Sequence, residues 1–341
     1  MPQKTKDKTI ILDSTEANIK LAATEIVAGG VVAFGTETVY GLGANLYSEK
    51  AVKKIYQVKG RPGDNPLIVH IESLLQLKDM VKAIPDTAYE LAKNYMPGPL
   101  TIILKKTAAI PSEVTAGLDT VAIRMPGQKT ALAFIKACGC PLAAPSANRS
   151  GFVSPTSAAH VLADLSGLIP YVLDTGTCRV GLESTVIDLT KPTPAILRQG
   201  AVTLEQINSV IGKTIVASGC TEGKPASPGM KYRHYAPKAQ VFFSSYHANM
   251  YAFINIAYDE ADKKGKTPII LCLEPRSHLY GMRRKHVAGK SLGDYARNLY
   301  TALRDIDADG FDCIIAEGVP PKGIGAAIVN RLMKASENNI L

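Results

Sequence analysis

Two α/β domains joined by an irregular segment are what this sequence predicts, on three observations. Its 341 residues exceed one average domain and suit two, each large enough to bury a core. Apolar runs bounded by Gly and Pro alternate with amphipathic segments as far as residue 212, the pattern of a mixed α/β domain. From Lys213 to Lys238, Gly219, Gly223, Pro225, Pro228, Gly229 and Pro237 interrupt any period, and the alternation then resumes. The expected division is a first domain over 1–212, a linker over 213–238 and a smaller domain over 239–341.

In the first domain the expected strands are Val31 to Phe34, Leu67 to Ile71, Leu100 to Leu104, Val121 to Arg124, Leu142 to Ala144, Tyr171 to Leu173, Ser184 to Asp188 and Ala195 to Leu197. Between the first two, Ser48 can cap a helix that buries Ala51, Val52, Ile55 and Tyr56 on one face and stops at Gly60. Another helix is expected to begin at Ser154, with Pro155 at its first position. Thr203 and Gln206 have capping-box spacing and open the last helix of this domain. In the second domain Val241 to Ser244, Ile269 to Leu273 and Cys313 to Ala316 read as strands. The clearest helix there runs from Ser291 to Asp305, so the order β-α-β-α-β-α predicts a small parallel sheet.

Composition narrows the class. Hydrophobic residues at 46% and charged residues at 20% describe a globular chain, and no apolar run has the length of a membrane span. The N-terminus MPQKTKDKTI lacks the apolar core of a secretory signal, so a cytoplasmic location is expected. The six cysteines show no zinc spacing and do not suggest a disulfide framework. A net charge of +9 is compatible with a polyanionic partner and equally with a solvated basic surface.

Common nucleotide motifs fail. Gly212-Lys213-Thr214 resembles the end of a Walker A loop, but Ile207 stands where its first glycine belongs. Gly41-Leu42-Gly43 and Gly323-Ile324-Gly325 start a GxGxxG pattern that Leu46 and Ile328 break. Any ATP site must therefore be of another kind.

What remains is a set of polar loops at strand ends: GTETVYGLGANL at 35–46, Lys59-Gly-Arg61-Pro-Gly-Asp-Asn65-Pro, and Ala144-Pro-Ser146-Ala-Asn148-Arg-Ser-Gly-Phe-Val-Ser154-Pro-Thr156. With PGPLT at 97–101, AIRMP at 122–126, ESTVID at 183–188 and LRQG at 197–200, this combination resembles the YrdC-like family of threonylcarbamoyl-AMP synthases. SPGMKYRHYAP at 227–237 and GIGAAIVNRLMKA at 323–335 resemble its long, two-domain members. The resemblance implies a twisted mixed α/β domain with a concave basic cavity, plus a small Rossmann-like α/β domain. One departure is Gly35, where family members often carry proline; it is expected to alter only turn stiffness.

The chemistry sets demands of its own. Adenylate formation needs cations and fixed N–H donors around the phosphates. Lys59 and Arg61, two apart in what reads as an extended loop, would project to one side and carry the catalytic charge. Alone, they would read as a solvated basic turn. Ser146, Asn148 and Ser154 offer hydroxyl and amide groups just past a strand. The resemblance assigns ATP binding to Arg61, Asn65, Thr120, Ser146, Asn148, Ser154, Arg198 and, from the linker, Tyr235.

Arg124 ends an apolar strand, where a charge is costly unless paired, which makes it a carboxylate clamp or half of a structural ion pair. The resemblance places threonine at Thr38, His70, Arg124, Ala144 and Ser184. By itself His70 reads as a core histidine.

The activity implied is synthesis of L-threonylcarbamoyl-AMP and pyrophosphate from L-threonine, bicarbonate or CO2, and ATP. Magnesium would ride on the ATP phosphates rather than in a protein cage. The linker would serve as a lid. The product would pass to a separate transferase that modifies adenosine beside the anticodon of tRNA, with direct tRNA contact left open and no membrane involved. The alternative is an RNA-binding module of the same fold without adenylate synthesis.

Overall fold

The computed structural model describes residues 8–217 and 235–341, so most of the expected linker, including Lys231, Arg233 and His234, lies outside the described residues. These residues form two compact units. One comprises 8–150, 154–179 and 183–217; the other comprises 151–153, 180–182 and 235–341.

The first unit is built on a sheet of eleven strands among the described residues. They are β1 (Ile10–Leu12), β2 (Val32–Phe34), β3 (Gly41–Asn45), β4 (Ile68–His70), β5 (Leu100–Lys105), β6 (Thr120–Arg124), β7 (Leu142–Ala144), β8 (Tyr171–Leu173), β9 (Thr185–Asp188), β10 (Ala195–Arg198) and β11 (Ile215–Val216). Their order is β1-β8-β2-β3-β7-β4-β6-β5-β9-β10-β11. Pairing is mixed: β2–β8, β4–β6, β5–β9 and β10–β11 run parallel, whereas β2–β3, β3–β7, β4–β7, β5–β6 and β9–β10 run antiparallel.

Because side chains alternate along a strand, each strand serves two faces. On one face Leu42, Ala44, Val69, Ile102, Val121, Ile123, Ala143 and Ile187 join a single apolar core. Helix Glu49–Lys59 contributes Ala51, Val52 and Ile55 to that core; Ser48 accepts from Ala51 N at 3.3 Å, and Gly60 at φ 61 ends the helix. The Thr203–Gln206 capping box is formed as its spacing predicts.

The other face is divided. Over β2, β7 and β8, helices Glu16–Val27 and Lys129–Cys138 pack Ile26, Phe134 and Ile135 onto Phe34, Leu142, Ala144 and Leu173. Beyond β7, among the described residues, that face carries the small apolar cluster Ile68, Ile103, Ala122 and Val186, with Leu197 packed against it and buried polar residues around it.

The second unit has a four-stranded parallel sheet: β12 (Gln240–Phe243), β13 (Pro268–Cys272), β14 (Lys285–Val287) and β15 (Cys313–Ala316), in the order β12-β15-β13-β14. Helix Leu292–Ala308 is longer than expected and starts at a capping box between Ser291 and Asp294. Helix Ile324–Ala335 begins after Gly323 at φ 55. A Cβ at Gly325 would lie 2.1 Å from Pro320 O, so that glycine serves close packing.

Candidate active site

The polar residues of the second face fall into register. β4 and β6 run parallel with His70 opposite Arg124 and Ile68 opposite Ala122, so Thr120, Ala122 and Arg124 project to the same side as His70. Thr101, on the neighbouring strand β5, meets Ser184 with their hydroxyls 2.7 Å apart. Arg198 at the end of β10 donates to Ser184 O at 3.1 Å and to Ser184 Oγ at 3.0 Å. The sheet thus gathers His70, Arg124, Ser184 and Arg198, all buried, onto the part of this face that lies beyond the two described helices over β2, β7 and β8. Thr120 is four residues from Arg124, about 13 Å away along the strand.

Arg124 is buried and engaged at three points, which uses three of its five N–H donors. It donates to Thr38 Oγ1 at 2.8 Å, to Glu37 Oε1 at 2.7 Å and to Gly98 O at 3.2 Å. The structure shows the ion-pair reading of Arg124, with Glu37 as its partner among buried polar residues. Glu37, which sequence reasoning missed, is buried and also accepts from Gly127 N at 2.8 Å. The signal was present, since a costly buried cation at one strand end requires an anion nearby and Glu37 follows another apolar strand.

The loop bearing it is shaped by Thr36, whose hydroxyl donates to Val39 O at 2.6 Å and accepts from Thr38 N at 3.2 Å. Gly35 does more than set turn stiffness. A Cβ there would lie 1.9 Å from Thr175 Oγ1, so its bare backbone makes room for that side chain.

Lys59 corrects the extended-loop expectation. It is the last residue of helix Glu49–Lys59, followed by Gly60 in the left-handed region, and it is buried. Its ammonium donates to Ser146 O and Asn148 O, each at 2.5 Å, and to Asn148 Oδ1 at 3.4 Å. Three acceptors match the three N–H bonds of the protonated form. Burial, and then the Arg61 guanidinium, pushes the lysine pKa well below its ordinary value, with Asp164 opposing.

Arg61 folds over its own loop, donating to Asn65 O at 3.3 Å and Pro66 O at 3.1 Å. Lys59 and Arg61 are therefore neighbours by different backbone routes. Asn65 Oδ1 is buried without a hydrogen-bond partner among the described residues.

Ser146 donates to Asn148 Oδ1 at 2.5 Å. The loop carrying them is tied to the Thr36–Tyr40 loop by Ala147 N donating to Tyr40 O at 2.8 Å and by a bridge between Gly41 and Ser146. Ser154 does not cap a helix. Helix Ala158–Leu165 starts later, at Ser157, because Ser154 donates to Glu183 Oε1 at 2.6 Å and Pro155 O accepts from Tyr40 N at 2.8 Å. These bonds hold 154–155 against neighbouring loops instead. Glu183, the second acid that sequence reasoning passed over, immediately precedes Ser184.

His70 is buried edge-on to Phe34, with ring centroids 6.0 Å apart. Burial, then Arg124, lowers its pKa to about 3, so it is neutral near pH 7. Its Nδ1 lies 3.2 Å from Ile68 O; a carbonyl can only accept, which assigns the proton to Nδ1 and leaves Nε2 an acceptor. Ala144 is buried on β7, opposite Ile68. Tyr235 belongs to the second unit, where it stacks on Tyr300 at 5.5 Å beneath the Arg331 guanidinium.

Among the described residues no group of three His, Cys, Asp or Glu side chains could hold a metal ion. No helix among them is long and apolar enough to cross a membrane.

Comparison with known proteins covers both units. A family model described as Telomere recombination matches residues 24–200, and one described as Threonylcarbamoyl-AMP synthase, C-terminal domain, matches residues 202–337. A threonylcarbamoyl-AMP synthase of Pyrococcus abyssi is 46% identical, with 98% of this chain and 99% of the relative covered. One from Bacillus subtilis is 45% identical, with 98% and 97% covered. The crystal structure of the P. abyssi protein Sua5 complexed with L-threonine has a TM-score of 0.92 at 45% identity, covering 98% of this chain and 99% of that one. These names agree with adenylate synthesis and not with the RNA-binding alternative.

Proposed function

We infer, because the chain belongs to the threonylcarbamoyl-AMP synthase family over both of its domains, that it joins L-threonine, bicarbonate or CO2, and ATP into L-threonylcarbamoyl-AMP and pyrophosphate. The observation that carries this reading to particular residues is the sheet face on which the buried side chains of His70, Arg124, Ser184 and Arg198 converge.

In this reading the threonine carboxylate lies against Arg124, whose guanidinium Glu37 and Thr38 hold in place. The neutral Nε2 of His70 accepts a hydrogen bond from the amino acid. The threonine amine adds to bicarbonate or CO2, giving a carbamate and releasing water or a proton. A carbamate oxygen then bonds to the α-phosphorus of ATP, and the bond to the β-phosphate oxygen breaks, releasing pyrophosphate. No covalent enzyme intermediate is needed.

Arg61, Asn65, Thr120, Ser146, Asn148, Ser154 and Arg198 are assigned to ATP. The unpartnered Oδ1 of Asn65 supports a donor-bearing ligand beside Arg61. Lys59 acts by fixing the carbonyls of Ser146 and Asn148, and its buried cation strengthens the local field for phosphate. Magnesium, when bound with ATP, would ride on the nucleotide and neutralise phosphate charge.

A tRNA adenosine modified by a separate transferase is the product's expected destination, in the cytoplasm. The five cysteines among the described residues are all free, which suits that compartment.

The deciding assay incubates the full chain with ATP, magnesium and bicarbonate and compares pyrophosphate release with threonine, serine and no amino acid. Threonine-dependent release is expected. Salt-dependent RNA binding without it would reject the reading.

A further inference from the structure

A second open space borders Glu37. It is a cavity of about 390 Å³ within the first unit, lined by Thr36, Glu37, Gly127, Gln128, Lys129, Thr177 and Arg179. None of the residues assigned to ATP or threonine lines it.

The charge of its wall is unbalanced. Glu37, the only acid there among the described residues, is already engaged by Arg124 at 2.7 Å and Gly127 N at 2.8 Å. Lys129 and Arg179 are exposed, and neither forms an ion pair or a side-chain hydrogen bond with a described residue. An anion lying between the two side chains would be attracted by both. Helix Lys129–Cys138 also starts in this wall, with Gln128 accepting from Thr130 N at 3.3 Å, so the positive end of its dipole adds to the same field.

Gly127 keeps the approach clear. A Cβ there would lie 3.2 Å from Arg179 Nη2 and 3.4 Å from the Glu37 carboxyl carbon. Thr177 supplies a hydroxyl on the same wall. At about 30 Å³ per water, the space admits a small oxyanion together with part of its hydration shell.

We propose that this cavity is a binding site for a tetrahedral oxyanion of the phosphate class, gripped by Arg179 and Lys129. A forked guanidinium and a point-charge ammonium reach an anion from different directions, which suits oxygens arranged tetrahedrally; a planar carboxylate needs only the fork. The cavity borders the threonine side at Glu37, while Arg179 and Lys129 are outside the residues assigned to synthesis.

The test titrates the full chain with inorganic phosphate by 31P NMR, with excess ATP and no threonine present so that the nucleotide site is occupied. Saturable binding is expected, and the Lys129→Gln/Arg179→Gln double variant should weaken it about tenfold or more, while threonine-dependent pyrophosphate release stays at the wild-type level. Equal phosphate affinity in both proteins overturns the proposal, as does the absence of saturable binding in the wild type. Loss of pyrophosphate release together with phosphate affinity overturns the claim that Arg179 and Lys129 lie outside synthesis. Absence of pyrophosphate release from the wild type would refute the synthase reading alone, and the titration would still decide the cavity.

Discussion

The two halves of the large sheet use one pattern for different ends. On β2, β7 and β8, the residues pointing away from the main core are Phe34, Leu142, Ala144 and Leu173, and two helices bury them. On β4, β5, β6 and β10, the corresponding residues include His70, Thr101, Arg124 and Arg198. Both halves read as short apolar strands, because alternate residues in each feed the same core. The difference teaches that the site begins where helical cover ends. A binding face costs little in fold stability if the opposite face of the same strands is already packed.

That contrast can be broken most severely at the buried ion pair. Arg124→Ala leaves Glu37 charged and uncompensated, and urea unfolding should show a loss of about 3–5 kcal/mol. Glu37→Gln, a milder change that keeps an oxygen acceptor, should stay folded and weaken threonine binding in calorimetry. Unaltered threonine affinity in this variant would remove Arg124 from the amino-acid site. The adjacent residue on the opposite face sharpens the comparison. Ile123→Ala should cost about 2–5 kcal/mol by unfolding, yet leave threonine and ATP affinities of the folded protein unchanged.

His70 supplies a pH-dependent test of the polar half. The folded imidazole stays neutral down to about 3, whereas the unfolded chain takes up its proton near pH 6.5. Between those values the unfolded state binds more protons, so stability should fall as the solution is acidified, by up to about 1.4 kcal/mol per pH unit. His70→Gln should flatten this part of the profile; an unchanged slope would place the titration elsewhere. The smallest effect is expected at the helix that covers the core face. Ser48→Ala should lose about 1 kcal/mol in thermal unfolding, with no change in turnover.

Legibility in the sequence followed the physics of each element. Apolar runs revealed most strands, and Ser48, Thr203 and Ser291 marked helix starts because their caps act locally. Strand β3 was hidden within a glycine-containing loop. A Cβ at Gly43 would lie 2.9 Å from the Phe34 ring, so glycine is present for close packing and not for a turn. Strand β1 was too short, and its Ile10 and Ile11 are exposed.

At the site, residue types were readable and their partners were not. Lys59, Arg124 and Ser154 stood out, but Ser146 O, Glu37 and Glu183 lie 87, 87 and 29 residues away, and only folding brings them within reach. The expected helix start at Ser154 failed for the same reason, since a distant carboxylate outcompeted a local cap.

The ammonium of Lys59 fastens the end of a helix to a loop nearly ninety positions later, so its value lies in shape as much as in sign. A flat guanidinium cannot replace a tripod, and Lys59→Arg would keep the charge while undoing the clasp. Because such a clasp closes only after so long an intervening stretch has been ordered, we expect it to be among the late contacts in the assembly of the first unit, so that the finished site reports that the surrounding chain is already in place.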